Sequence, residues 1–237
     1  MIRAVVEETF RRTMTHGAMI LGALVIVAFG VFNSPQIPYA LAWLVVLGTG
    51  SQLIGPEFSS GTLQLVVAKP VNRSYYLLSR VAGAFAAVVT VDLIAALSLT
   101  VGKYAGNNPD SWKALGHAAG RYALGGLLAL SLLAFFGSFT RSYANIAIYL
   151  VLETALSATI AWLSMMRLPR AHSSAVASFL QRNPQVIKAV KTLTENLFPD
   201  ATAVTLESAL AVIGNSAIAL LLGCLLFRRR EVPYGAD

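Results

Sequence analysis

Six apolar blocks, Thr15–Phe32, Pro38–Gly55, Val81–Val101, Tyr122–Phe139, Tyr143–Ser164 and Ser208–Phe227, take up most of this chain. A helix that crosses the hydrocarbon of a bilayer needs about 20 mostly apolar residues, and these blocks approach or reach that length. Inside a bilayer every backbone N–H and C=O must be bonded within the protein, which leaves only helices and closed barrels. A barrel would show alternating segments of about ten residues, whereas these blocks are continuous. The sequence therefore predicts an all-α integral membrane fold of six transmembrane helices in a single domain, 1–237. No room remains for a separate soluble domain. Composition agrees: 56% of residues are hydrophobic and 12% charged, roughly half the charge of a soluble domain.

The net charge of +7 comes largely from basic residues at block ends and in loops. Without a compact soluble module to carry it, this charge does not point to nucleic acid. It fits membrane topology and anionic lipid head groups better. Cys224 is the single cysteine, which excludes a disulfide or a cysteine metal site within one chain. Arg11, Arg12 and Ala18–Phe32 have the layout of a signal peptide, but Phe32-Asn33-Ser34-Pro35 lacks a small-x-small cleavage site. The first block is expected to stay in place.

Arg228-Arg229-Arg230 follows the last block directly, and such clusters stay on the cytoplasmic side. An even number of spans then puts both termini there. The uncharged turn Asn33–Ile37 falls outside, and the loop carrying Lys69, Arg73 and Arg80 falls inside with Arg141. The outer loops Gly102–Arg121 and Arg167–Glu207 also hold Lys and Arg, against the trend.

Residues 1–14 read as an interfacial helix. Ile2, Val6, Phe10 and Met14 recur every four residues, with Arg3, Glu7, Glu8, Arg11 and Arg12 off that stripe. The pairs Glu7–Arg11 and Glu8–Arg12 have the favourable i,i+4 order. The alternative is an ordinary charged lead-in to the first span. The outer loop 167–207 reads as two short helices, Ser173–Leu180 and Pro184–Leu197, divided at Asn183-Pro184.

Between the second and third blocks lies a punctuated, partly charged segment, 56–74. Gly55-Pro56 ends the second block, and Glu57 to Ala68 can form about three helical turns before Pro70 stops them. Leu63, Val66 and Val67 give that helix an apolar face, and Asn72 or Ser74 can cap the next one. A short rigid helix across the ends of two membrane helices can pass a push into the bundle. The run Glu57-x-x-x-Gly61-Thr62-Leu63, continued by Ala68-x-Pro70-Val71-x-Arg73, resembles the cytoplasmic coupling loop of type-2 ATP-binding-cassette (ABC) permeases.

That resemblance implies a transporter membrane subunit rather than an enzyme, in a bacterial or archaeal cytoplasmic membrane. Glu57, Gly61, Thr62, Leu63, Pro70 and Arg73 would dock a separate ABC ATPase subunit. A second permease copy, identical or related, would complete the translocation path. No Gly-x-x-x-x-Gly-Lys-[Ser/Thr] run occurs in the chain, so ATP and Mg would be bound by the partner ATPase, with no cofactor in this chain.

Asp92 and Glu153 fall near the middle of the third and fifth blocks. An acid at the bilayer centre costs about 2.5–3.5 kcal/mol on insertion scales, so both are expected to face protein or water. They are candidates for the translocation path or a proton or cation site; the other reading is that each only ties helices together. His16, His117 and His172 lie near block ends or in loops, far apart. Ser131, Ser138 and Ser157 lie within blocks, where Ser usually bonds its own helix. No hydrolase arrangement or metal site emerges. Gly116-x-x-x-Gly120 is a weak helix-packing motif. Two rival functions follow from the same features: an ion-coupled secondary transporter using Asp92 and Glu153, and a membrane scaffold that recruits a soluble partner but moves nothing.

Overall fold

A computed structural model describes residues 2–15, 17–32, 36–54, 72–101, 109–140, 143–165, 183, 185 and 206–229. Among them the regular structure is entirely helical: α1 (Ile2–Thr15), α2 (Gly17–Phe32), α3 (Gln36–Ser51), α4 (Arg73–Val101), α5 (Pro109–Gly137), α6 (Ala144–Met165) and α7 (Leu206–Arg229). The outer-loop helices expected within 167–207 lie almost wholly outside the described residues.

Within α4, α5 and α7, the stretches Arg73–Leu99, Ala119–Gly137 and Ala209–Arg229 are each long and apolar enough to cross a membrane, which marks a membrane protein. The other apolar blocks also fall on helices, but α2 and α3 have 16 residues each, about 24 Å at 1.5 Å per residue.

Two helices begin well before the apolar blocks that announced them. α4 starts at Arg73 rather than Val81, and α5 at Pro109 rather than Tyr122. At α4 the cause is a cap. Asn72 accepts a hydrogen bond from the Ser74 N–H on Oδ1 (3.0 Å), and its carbonyl accepts the first helical bond from Tyr76 N (3.1 Å). Both satisfy donors that a helix start would otherwise leave open. Arg80, expected in a loop, is consequently a helical residue and is buried.

α4 is the hub of the bundle, packing against α1, α2, α3, α5 and α7, whereas α6 packs mainly on α5 and α3. The main core forms where α3, α4 and α5 meet: Val46, Leu53 and Ile54 from α3 and its end, Leu77, Ala84 and Val88 from α4, and Leu130, Leu133 and Ala134 from α5. Tyr149 of α6 and Phe227 of α7 complete it. A second cluster joins Ile26 of α2 to Val91, Ala95 and Leu99 of α4. On α7 the buried positions Val212, Ser216, Ala219, Gly223 and Phe227 form one stripe, while Leu210, Ile218, Leu221 and Leu225 are exposed. A helix whose outward face is Leu and Ile is the pattern expected when the surroundings are lipid.

Small residues set the closest approaches. A Cβ at Gly126 of α5 would stand 2.9 Å from Val88, and one at Gly223 of α7 would stand 3.3 Å from the Phe135 backbone. At Gly50, the Leu133 side chain of α5 fills the space a Cβ would need. Gly116 and Gly120 face open space, so their spacing joins no helices within the described part of this chain.

Candidate functional site

Glu57, Gly61, Thr62, Leu63 and Pro70 lie outside the described residues, as do His16 and His172. Of the expected docking residues, Arg73 alone is described: it is half-buried and opens α4. The segment's two anchor points are therefore the end of α3 and the capped start of α4, and each is held by a long-range contact that the apolar pattern does not announce.

At α3 the holder is Asn145, in the first turn of α6. Fully buried, it donates from Nδ2 to the Gly50 carbonyl at 3.2 Å and to the Leu133 carbonyl at 3.4 Å, while its Oδ1 accepts from Ile146 N. The Gly50 carbonyl also accepts from Leu53 N at 3.3 Å, and Asn145 serves two helices at once. It joins the end of α3 to α5 and α6.

At α4 the holder is α1. Arg80 donates from Nη1 to Thr9 Oγ1 at 3.2 Å, and the Thr9 hydroxyl donates to the Val5 carbonyl at 2.7 Å. The Arg80 guanidinium also stands 6.0 Å from the Tyr76 ring centroid, within the range of a cation–π contact. Gly83, one turn on, lets the helices touch: a Cβ there would stand 2.6 Å from the Val6 carbonyl oxygen and 2.7 Å from Thr9 Cβ. Thr9 is the most buried described residue of α1, with Val5, Val6, Phe10, Thr13 and Met14 half-buried beside it. The buried face is thus centred on Thr9, beside the expected stripe, because α4 lies there.

Asp92 is 3% exposed, and its Oδ2 has no hydrogen-bond partner among the described residues; Thr49 Oγ1 of α3 and Ser216 Oγ of α7 share that condition. Glu153 is half-buried and continues the face of α6 that carries the buried Asn145 and Tyr149. No hydrogen bond joins the two acids among the described residues. Their depths nevertheless agree. Val88 meets Gly126, which also faces Val46, and Asn145 bonds Gly50. Counted along the helices, Asp92 lies about 6 Å beyond Val88, Glu153 about 12 Å beyond Asn145, and Val46 about 6 Å beyond Gly50. The two acids therefore share one layer, with α5 and α3 packed against both of their helices.

Among the described residues no group of three His, Cys, Asp or Glu side chains is placed to hold a metal ion. The sequence matches no protein-family model and no curated protein.

Proposed function

We propose that this chain is the membrane subunit of an ABC exporter, with α2 to α7 as six spans and both termini cytoplasmic. The observation that carries the reading is the run Glu57 to Arg73, with its Gly61-Thr62-Leu63 and Ala68-x-Pro70 punctuation, set between the end of α3 and the capped start of α4. A partner ATPase would bind ATP and Mg. A second permease copy would face this one across the path. Closure of the ATPases on ATP would push the segment, and the push would enter α3 and α4 together. Support comes from the way these two entry points are built. Asn145 ties α3 to α5 and α6, and Arg80 ties α4 to α1, so displacement of either end moves several helices rather than one.

The test is purification of the tagged chain in mild detergent with its native neighbours, followed by ATP hydrolysis with Glu57 and Gly61 intact or replaced. A stoichiometric ATPase that is lost or uncoupled by Glu57→Ala or Gly61→Leu supports the reading. A well-expressed preparation that carries no ATPase sinks it.

One observation favours a second reading, an ion-coupled transporter. Asp92 holds a buried carboxylate oxygen without a partner among the described residues, in the layer that Glu153 shares. Intramembrane acids so placed are candidates for proton or cation binding. Uptake or efflux driven by an ion gradient in vesicles free of ATP, abolished by Asp92→Asn, would favour this reading over the first.

A further inference from the structure

A groove of about 250 Å³ opens at the meeting of α1, α2 and α4, lined by Met14, Ile20, Ala23, Leu24, Val27, Val91 and Ile94. Its lining residues are all apolar. Val91 is buried at 1% exposure, whereas Ile20, Leu24 and Val27 are 52%, 65% and 41% exposed, so the groove opens outward rather than into the bundle. Along α2 it runs from Ile20 to Val27, about 10 Å. One leaflet contributes about 15 Å of hydrocarbon. At about 10 Å the groove is shorter than one leaflet and shorter than the face a membrane-crossing helix of a second copy would need; on α4 it sits beside Asp92, between Val91 and Ile94.

Polar chemistry stands beside Met14 on α1. Arg11 and Arg12, both exposed, lie within one turn of Met14, and Glu7 and Glu8 are a further turn back along α1. No side-chain bond engages Arg11 among the described residues, and no ion pair forms between Glu7 and Arg11. We propose that this groove holds one acyl chain of an anionic phospholipid, with the phosphate at Arg11. Apolar burial along the chain and the attraction of a basic side chain to an anionic head group act together there. The inference rests on the chain residing in a membrane, and not on its having an ATPase partner.

The test uses the full chain in vesicles that mix phosphatidylcholine with phosphatidylglycerol. The chain is extracted in mild detergent, and retained phospholipid per chain is measured by mass spectrometry. Arg11→Ala changes an exposed residue and leaves the packing intact; it should lower retained phosphatidylglycerol roughly fivefold, the weight of one basic side chain at an anionic surface, and spare phosphatidylcholine. Ala23→Phe fills the groove and should lower retention of both lipids at unchanged helix content and elution volume. Phosphatidylglycerol retained at the wild-type level in both variants would overturn the assignment. So would efficient disulfide cross-linking between copies through Leu24→Cys, which would give the groove to a second copy.

Discussion

Arg80 and Thr9, 71 positions apart in sequence, meet through a 3.2 Å hydrogen bond from the guanidinium to the hydroxyl, in a part of the bundle where both side chains are buried. This pair fastens α1 to the hub helix. Bonds to charged groups contribute about 1.5–3 kcal/mol in water-soluble proteins, and interhelical bonds in membranes average less. A double-mutant cycle of Thr9→Val and Arg80→Met should give a coupling of about 1 kcal/mol in thermal or denaturant unfolding. Additive single effects would show that the bond carries no weight.

Gly83→Ala tests the same junction through its sterics. Helix propensity alone favours Ala by about 1 kcal/mol. Here the added methyl would stand 2.6 Å from a backbone oxygen, and backbone gives way only by moving α1. Overpacking of this kind costs about 1–3 kcal/mol, so the variant should melt lower than the wild type. Gly116→Ala, in open space, should melt at the wild-type temperature or above it. Reversal of that order would mean that α1 does not dock as described.

Asn145→Ala removes the donor shared by the Gly50 and Leu133 carbonyls. The expected loss is about 1–2 kcal/mol, measured as a lower unfolding midpoint. Under the exporter reading the variant should also hydrolyse ATP with weaker dependence on cargo, at a temperature where it is still folded. A variant equal to the wild type in both measurements would remove Asn145 from the account.

Asp92→Asn keeps the shape of the side chain and removes its capacity to ionise. An intramembrane acid costs about 2.5–3.5 kcal/mol on insertion scales, and Oδ2 has no partner among the described residues to offset it. The variant should be at least as stable as the wild type in detergent. A clear drop in melting temperature would show that the carboxylate is held by a partner, and would make its role structural.

The apolar blocks were legible because hydropathy reports removal from water, whether into lipid or into the core, and each of the six falls on a helix. Helix ends were less legible, since hydropathy does not report where helical backbone begins. The turns containing Arg80 in α4, and Lys113, His117 and Arg121 in α5, are polar enough to resemble loop, yet they continue their helices. Asn72 was readable as a cap because its partners are local. Asn145 was not: Gly50 lies 95 positions away, and nothing near Asn145 in sequence marks that carbonyl as its acceptor. The acids and their similar depth were legible because charge near the middle of an apolar block stands out, and the contacts at Val88 and Asn145 agree with that depth.

The uneven sharing of neighbours also sets the order in which the bundle comes apart. α6 packs mainly on α5 and α3, and its buried ties among the described residues are Asn145 and Tyr149, whereas α4 must leave five helices. Local opening follows the least-contacted element. Amide exchange should therefore reach α6 long before α4, and a chain caught half-unfolded would be an α4–α5–α7 nucleus with α6 already peeled away.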